Sequence, residues 1–251
     1  MEPEATHLLM ETVHFHPEPG VSDTVHRVFF LGDSNQKRAR QAGVNAINRR
    51  TNAYLTFHTL GGLTMHGLRE ALNEELQMPG NNYDQYSTLT IVLAAGGNDL
   101  YDRSGEPLAG EQTVAAAVSR ATRLLAATKQ ILSGREPRVV FTGVLPRRYS
   151  RGGDFKPLIA EFNEAMKMVI NGNSGNDRAA ITNEWCTYIC PTDLIDVSTS
   201  FLDDQGVHLK KEAAAQWMAN ILRYVLPNEN PDEQEDGDPE EQEDDELKEE
   251  R

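Results

Sequence analysis

Apolar residues occur along the chain in short runs, and the first run ends at a turn signal that carries a serine. Residues 27–31 are mostly β-branched or aromatic, Gly32-Asp33-Ser34 follows them, and residues 36–50 are polar and permissive for a helix. A continuous apolar run that a turn signal interrupts is typical of a buried strand in a parallel sheet. Ser34 is therefore predicted to lie where a strand ends and a helix begins.

The same unit of strand, turn and helix recurs down the chain. Further strands are predicted at 52–60, 89–95 and 138–145, with one of 179–182 and 194–197 as the fifth. Helical spacing predicts helices at 63–76, 111–132, 157–170 and 211–225. This alternation predicts an α/β fold, with a parallel sheet of about five strands covered by helices on both faces.

Charge divides the 251-residue chain into a body and a tail. Residues 227–251 hold 14 acidic and 2 basic residues, a net charge of −12, so the total of −15 leaves only −3 for residues 1–226. We predict a loosely ordered N-terminal segment (1–25), one folded domain (26–226) and a disordered acidic tail (227–251) that is solvated or contacts basic partners. A body without a basic stripe argues against binding to duplex nucleic acid.

Composition also bears on location and on metals. The N-terminus lacks the pattern of a secretory signal, and no run approaches the ~20 apolar residues of a membrane span, so a cytoplasmic or nuclear protein is expected. Cys186 and Cys190 lack companion ligands at zinc-site spacing, and His14 and His16 lack a partner cluster. We therefore expect no metal and no cofactor.

Chemically useful residues follow the strand ends and precede the last helix. Ser34, Gly62 and Asn98 come after the first three predicted strands, and His208 lies just before the last helix. Loops at the carboxyl ends of parallel strands meet at one edge, where such sheets bind ligands. A histidine can take the proton of a serine nucleophile, and the N–H groups of Ser34, Gly62 and the Asn98 amide could hold an oxyanion.

This set resembles the SGNH, or GDSL-type, hydrolase superfamily. Four motifs match. They are Gly32-Asp33-Ser34, Gly62 at the start of the Gly-Leu-Thr-Met-His-Gly-Leu run, Gly96-Gly97-Asn98-Asp99, and Gly206-Val207-His208-Leu209. The resemblance implies a flavodoxin-like three-layer fold and hydrolysis of an acylated substrate through an acyl-enzyme, without a metal. The Val-Leu-Pro-Arg-Arg run and the His-Leu-Lys pattern also resemble esterase-like domains that some retroelements carry.

One position departs from the family pattern. The family places an aspartate three residues before the histidine, and here that position is Gln205, preceded by Asp203 and Asp204. Either Gln205 orients His208, or Asp204 reaches it from one residue away, or catalysis has been lost. The last outcome would leave a silent binding module, for RNA or protein, that uses the loop with Arg147, Arg148 and Arg151.

Overall fold

Six strands form one sheet in the protein, for which a computed structural model describes residues 11–16, 26–48, 53–77, 86–102, 105–108, 113–132, 137–149, 154–172, 185–196 and 201–226. The strands are β1 (Glu11–Phe15), β2 (His26–Gly32), β3 (Ala53–Thr59), β4 (Thr88–Ala94), β5 (Arg138–Thr142) and β6 (Cys186–Ile189). Their order is β1-β3-β2-β4-β5-β6, and all pairs are parallel except β1 with β3. The parallel strands thus follow the flavodoxin-like order 2-1-3-4-5.

Helices cover both faces of this sheet. They are α1 (Ser34–Ala42), α2 (Val44–Asn48), α3 (Met65–Gln77), α4 (Gly97–Leu100), α5 (Thr113–Ile131), α6 (Pro157–Ile170) and α7 (Lys211–Val225). Two apolar cores result. One packs α3, α5 and α6 against the sheet, and the other packs α1, α2 and α7 against the opposite face. The predicted three-layer α/β fold is confirmed. None of the helices in the described ranges is long and apolar enough to cross a bilayer.

The sheet differs from the prediction at both edges. Residues 11–15, which the sequence placed in the lead-in, form an antiparallel edge strand whose alternate side chains are half-buried. The fifth parallel strand is β6, so the prediction at 194–197 is wrong. Pro191 starts a short 3₁₀ helix after β6, and Leu194 and Ile195 are buried beyond it without pairing as a strand. The candidate segment 179–182 lies outside the described residues.

The carboxyl edge of the sheet brings three loops together. Gly32, the last residue of β2, pairs with Thr59 of β3 on one side and with Ala94 of β4 on the other. Two backbone hydrogen bonds extend this pairing into the loops, from Asp33 N–H to the Ala94 carbonyl (3.2 Å) and from Leu60 N–H to the Gly32 carbonyl (3.1 Å). The loops after β2, β3 and β4 are therefore held side by side.

Candidate active site

Ser34 is the first residue of α1, and the residue before it caps that helix. The Asp33 side chain accepts a hydrogen bond from the Asn35 N–H at 2.9 Å. Since Asp33 performs the capping, the half-buried Ser34 hydroxyl is available for another partner. That partner is His208, whose Nε2 lies 3.1 Å from Ser34 Oγ. This distance is within the reach that a nucleophile and its base require.

His208 lies in a tight loop that also contains Asp203. Leu202 and Leu209 form an antiparallel bridge, and Asp203 N–H donates to the His208 carbonyl at 2.7 Å. Gly206 closes the loop with a positive φ of 72° and donates its N–H to the Asp203 carbonyl at 2.9 Å. Residues 203 and 208 are thus adjacent across a hairpin, although five positions separate them in sequence.

This hairpin makes Asp203 the carboxylate that contacts the histidine. Asp203 Oδ2 lies 3.2 Å from His208 Nδ1, and Oδ1 accepts hydrogen bonds from the N–H groups of His208 (3.2 Å) and Val207 (3.3 Å). Asp204 and Gln205 are exposed at the tip of the turn. Asp203, and not Asp204 or Gln205, therefore contacts the imidazole, because the segment folds as a hairpin.

Hydrogen bonds to Asp203 change its acidity. Partial burial acts to raise its pKa, but the two backbone N–H groups and the nearby imidazole outweigh burial and lower the pKa below the usual value. Arg38 adds a cation at 3.8 Å from Oδ2. Asp203 is therefore ionised at neutral pH and able to orient the Nδ1–H of His208.

Asn35 fixes the histidine loop to the nucleophile turn, a contact that the sequence analysis did not anticipate. Its buried side-chain amide donates to the Val207 carbonyl at 3.2 Å and accepts from the Leu209 N–H at 3.0 Å. These two bonds flank His208 on both sides. The residue after Ser34 thereby sets the position of His208, and the sequence motif does not distinguish this contact from the packing of an ordinary helix residue.

The two other predicted oxyanion donors, Gly62 and Asn98, lie on neighbouring loops. Gly62 occupies a turn that Leu63 N–H closes onto the Leu60 carbonyl, and its φ of 79° requires the left-handed region that glycine adopts without strain. Asn98 Nδ2 donates to the Leu63 carbonyl at 3.0 Å. The third donor, Ser34 N–H, lies in the first turn of α1, where N–H groups have no intrahelical partner.

Asp99 anchors the Asn98 loop to two helices. Its buried carboxylate accepts a hydrogen bond from Met65 N–H at 2.9 Å and one from Arg120 Nε at 2.8 Å. Burial raises the pKa of Asp99 above its usual value, although both partners oppose that shift. Because these contacts occupy both carboxylate oxygens of Asp99, we assign it a structural part.

The arginines of the loop after β5 are placed differently from one another. Arg147 is buried and donates to Asp33 Oδ2 at 3.2 Å. Arg148 is half-buried over the Phe155 ring, at 4.5 Å from the ring centroid, and its backbone N–H donates to the Gly206 carbonyl. Arg151 lies outside the described residues. His66 is exposed beside Glu70.

No cluster of three or more His, Cys, Asp or Glu side chains that could hold a metal ion occurs within the described ranges. His14 Nδ1 lies against Thr56 Oγ1 at 3.0 Å, and His16 packs on the Tyr54 ring. Both cysteines are free thiols, and burial raises the pKa of Cys186 to about 12.

Comparisons with known proteins bear on the fold. No protein-family model matches the chain, and no curated protein matches it.

Several solved structures have a similar fold. A Bacteroides fragilis protein crystallised as a candidate acylhydrolase is 16% identical, with 83% of this chain and 88% of that one covered and a TM-score of 0.54. A GDSL-like lipase from Bacteroides thetaiotaomicron is 14% identical, with 79% and 86% covered and a TM-score of 0.53. An acetyl-xylooligosaccharide esterase variant from Geobacillus is 10% identical, with 80% and 94% covered and a TM-score of 0.51. The chain has the fold of the SGNH, or GDSL-type, hydrolase superfamily.

Proposed function

We propose that this protein is a serine hydrolase that cleaves carboxylic esters through an acyl-enzyme. The observation that carries the proposal is an unbroken line of three side chains. Ser34 Oγ lies 3.1 Å from His208 Nε2, and His208 Nδ1 lies 3.2 Å from Asp203 Oδ2. Nucleophile, base and orienting carboxylate have this arrangement on several unrelated folds, so geometry supports the roles independently of sequence.

The reaction proceeds in two halves. His208 Nε2 takes the proton of Ser34 as Oγ attacks the carbonyl carbon, and the carbonyl oxygen becomes an oxyanion. The N–H groups of Ser34 and Gly62 and the Asn98 amide donate to that oxygen. His208 then gives the proton to the departing alcohol. Water, deprotonated by the same imidazole, attacks the acyl-enzyme and releases the acid and a free Ser34.

Asp203 acts through His208. Its ionised carboxylate accepts the Nδ1–H, which leaves Nε2 unprotonated and directed at Ser34, and it stabilises the imidazolium that forms after proton transfer. The backbone bonds that lower the pKa of Asp203 keep it charged throughout this cycle.

We infer that short acyl groups are the preferred substrates. The cavity behind the nucleophile turn, bounded by Asp33, Asn35, Gln36 and Trp217 among others, measures about 20 Å³. Neither Ser34 nor His208 lines this cavity, so its volume does not set the acyl length. The support comes from the name of the acetyl-xylooligosaccharide esterase with this fold, and the name of the acylhydrolase agrees with an acylated substrate. The retroelement-like subgroup stays a prediction.

The rival hypothesis, a silent binding module, was based on the amide at position 205. The contact between Asp203 and His208 favours the hydrolase over that hypothesis, since it sets a carboxylate beside the imidazole. Binding of RNA or of another protein therefore becomes an outcome of the test and not a second proposal.

The test is rapid mixing of the purified protein with 4-nitrophenyl acetate. The proposal expects a burst of nitrophenol that approaches one equivalent per chain, followed by slower turnover. The variant Ser34→Ala should lose the burst, and Ser119→Ala, a change on the surface of α5, should keep it. Absence of a burst and of turnover in the unmodified protein would overturn the proposal and leave the binding module.

A further inference from the structure

A buried cation lies directly behind the Asn98 amide. The Arg147 side chain is only 8% exposed, its Nη2 donates to Asp33 Oδ2 at 3.2 Å, and its Nη1 donates to Asn98 Oδ1 at 3.4 Å. One side chain thus connects the helix cap beside the nucleophile with the amide that we assign to the oxyanion. The loop after β5 supplies it, within the Val-Leu-Pro-Arg-Arg run at residues 144–148.

The bond from Arg147 determines which way the Asn98 amide faces. An amide has one acceptor oxygen and two N–H donors. The oxygen accepts from the guanidinium, and one N–H donates to the Leu63 carbonyl at 3.0 Å. A flipped amide would set its NH₂ against a cation and its oxygen against the Leu63 carbonyl, and both contacts are repulsive. The second N–H therefore has one fixed direction.

The neighbouring glycine shows how closely the guanidinium approaches this loop. A Cβ on Gly97 would lie 2.3 Å from Arg147 Nη2 and 2.4 Å from its Cζ. Only a residue without a side chain allows the guanidinium to pack this tightly against the backbone. The Gly97-Asn98 pair and Arg147 are thus fitted to one another.

We propose that Arg147 is a positioning residue for the hydrolytic reaction. It holds the Asn98 amide with one N–H directed at the substrate oxygen before negative charge develops there. Its own positive charge, behind the amide oxygen, polarises that amide and strengthens the N–H as a donor. The inference rests on the proposed function, because it assigns Arg147 a part in holding the oxyanion.

The two contacts require a planar guanidinium with two donor nitrogens and not merely a positive charge. Arg147 reaches Asp33 and Asn98 through two different nitrogens, whereas a lysine is a point charge on a flexible stem and cannot hold both acceptors in one plane. Arg147→Lys and Arg147→Met should each lower kcat about 10- to 100-fold, as expected for a displaced catalytic donor, and change KM by less than about 3-fold.

A double-mutant cycle separates positioning from general damage to the fold. Asn98→Ala removes the donor, and in that background Arg147→Lys should lower kcat by less than about 3-fold, because the amide it orients is absent. Arg123→Met, an exposed arginine on α5, is the control and should leave kcat unchanged in both backgrounds. Equal losses from Arg147→Lys with and without Asn98 would overturn the proposal.

NMR of the Asn98 side-chain amide tests the inference without any need for turnover. In the unmodified protein the proton bonded to Leu63 should exchange with solvent more slowly than its partner, and Arg147→Lys should shift both resonances, whereas Arg123→Met should not. Equal, fast exchange of the two protons in the unmodified protein would overturn the positioning role, even if the variants fail to fold. A protein that shows these resonances but no nitrophenol burst would overturn the proposed function and leave Arg147 only as the residue that orients the Asn98 amide.

Discussion

The two sides of the candidate site are built in different ways. On the nucleophile side, Asp33 and Asn35 are 6% and 5% exposed, and sheet pairing and the Asp33–Arg147 ion pair hold them. On the histidine side, the side chains of Asp203 and His208 are 24% and 23% exposed, and a hairpin holds them by hydrogen bonds. Ser34 thus lies directly after a central strand of the sheet, while Asp203 and His208 lie in a more solvated loop.

This difference predicts that substitutions on the two sides damage the protein differently. Buried residues of the nucleophile side should affect both folding and activity, because their loss leaves polar partners unsatisfied. Residues of the histidine side should affect activity more than stability. The following tests compare the two sides, beginning with the largest expected effect.

Replacement of the nucleophile should have the largest effect. Ser34→Ala removes the hydroxyl that bonds to His208 Nε2, and we expect kcat to fall by about 10⁴-fold or more, as for nucleophiles of other triads. The melting temperature should change little, since Asp33 and not Ser34 caps α1. Ester hydrolysis and thermal unfolding measure the two effects. Retained turnover in Ser34→Ala would show that another group performs the chemistry.

The acid of the histidine loop should have the next largest effect. Asp203→Asn removes the charge at 3.2 Å from His208 Nδ1 and offers that nitrogen an amide, so kcat should fall by about 10²- to 10⁴-fold. Asp204→Asn is the matched control, because it removes the same charge one residue away on an exposed side chain, and we expect less than a 3-fold change. Steady-state kinetics of the two variants at one pH shows which of the two carboxylates supports turnover. A larger loss in Asp204→Asn would return that residue to the third position.

Acid titration should affect the two sides in opposite directions. The lowered pKa of Asp203 means that its ionised form stabilises the fold above about pH 5, and this contribution is lost as the pH falls below about 4. The raised pKa of Asp99 means that its ionisation costs stability at neutral pH, and this cost is relieved as the pH falls. On going from pH 6 to pH 3, the melting temperature of the unmodified protein should therefore decline relative to Asp203→Asn and rise relative to Asp99→Asn. Slopes of the same sign would contradict the assignment.

The smallest effect concerns the turn that carries the Gly62 N–H. A Cβ at Gly61 or at Gly62 would meet nothing within 4 Å, but only Gly62 has a positive φ, of 79°. Gly62→Ala should therefore destabilise the protein by about 1 kcal/mol through backbone strain. Gly61→Ala should change stability by less than about 0.5 kcal/mol, as surface substitutions usually do. Urea unfolding of the two variants compares them directly, and equal losses would mean that φ is not the cause.

Much of the nucleophile side could be predicted from the sequence. A buried strand gives a continuous apolar run, and parallel strands place their following loops at one edge, so Ser34, Gly62 and Asn98 could be expected together. The boundaries of α6 and α7 also follow the apolar spacing closely. These features depend on residues that are neighbours in sequence, and local patterns report them.

The histidine side was harder to predict for a physical reason. The resemblance placed the carboxylate three residues before His208, whereas the Leu202–Leu209 bridge makes the segment a hairpin and brings Asp203 to the imidazole. The strand at residues 11–15 was not predicted for a related reason, since an edge strand with alternating half-buried residues lacks a continuous apolar run. Asn35 and Arg147 act across loops far apart in sequence, and no spacing rule reports such contacts.

The central claim is that His208, oriented by Asp203, activates Ser34. Reaction with a fluorophosphonate, followed by peptide mass analysis, tests this directly. We predict one adduct per chain on the peptide that contains Ser34, with a labelling rate that falls by about 10²-fold or more in His208→Ala and Asp203→Asn and is unchanged in Asp204→Asn. No adduct, an adduct on another residue, or an equal rate in all four proteins would contradict the account.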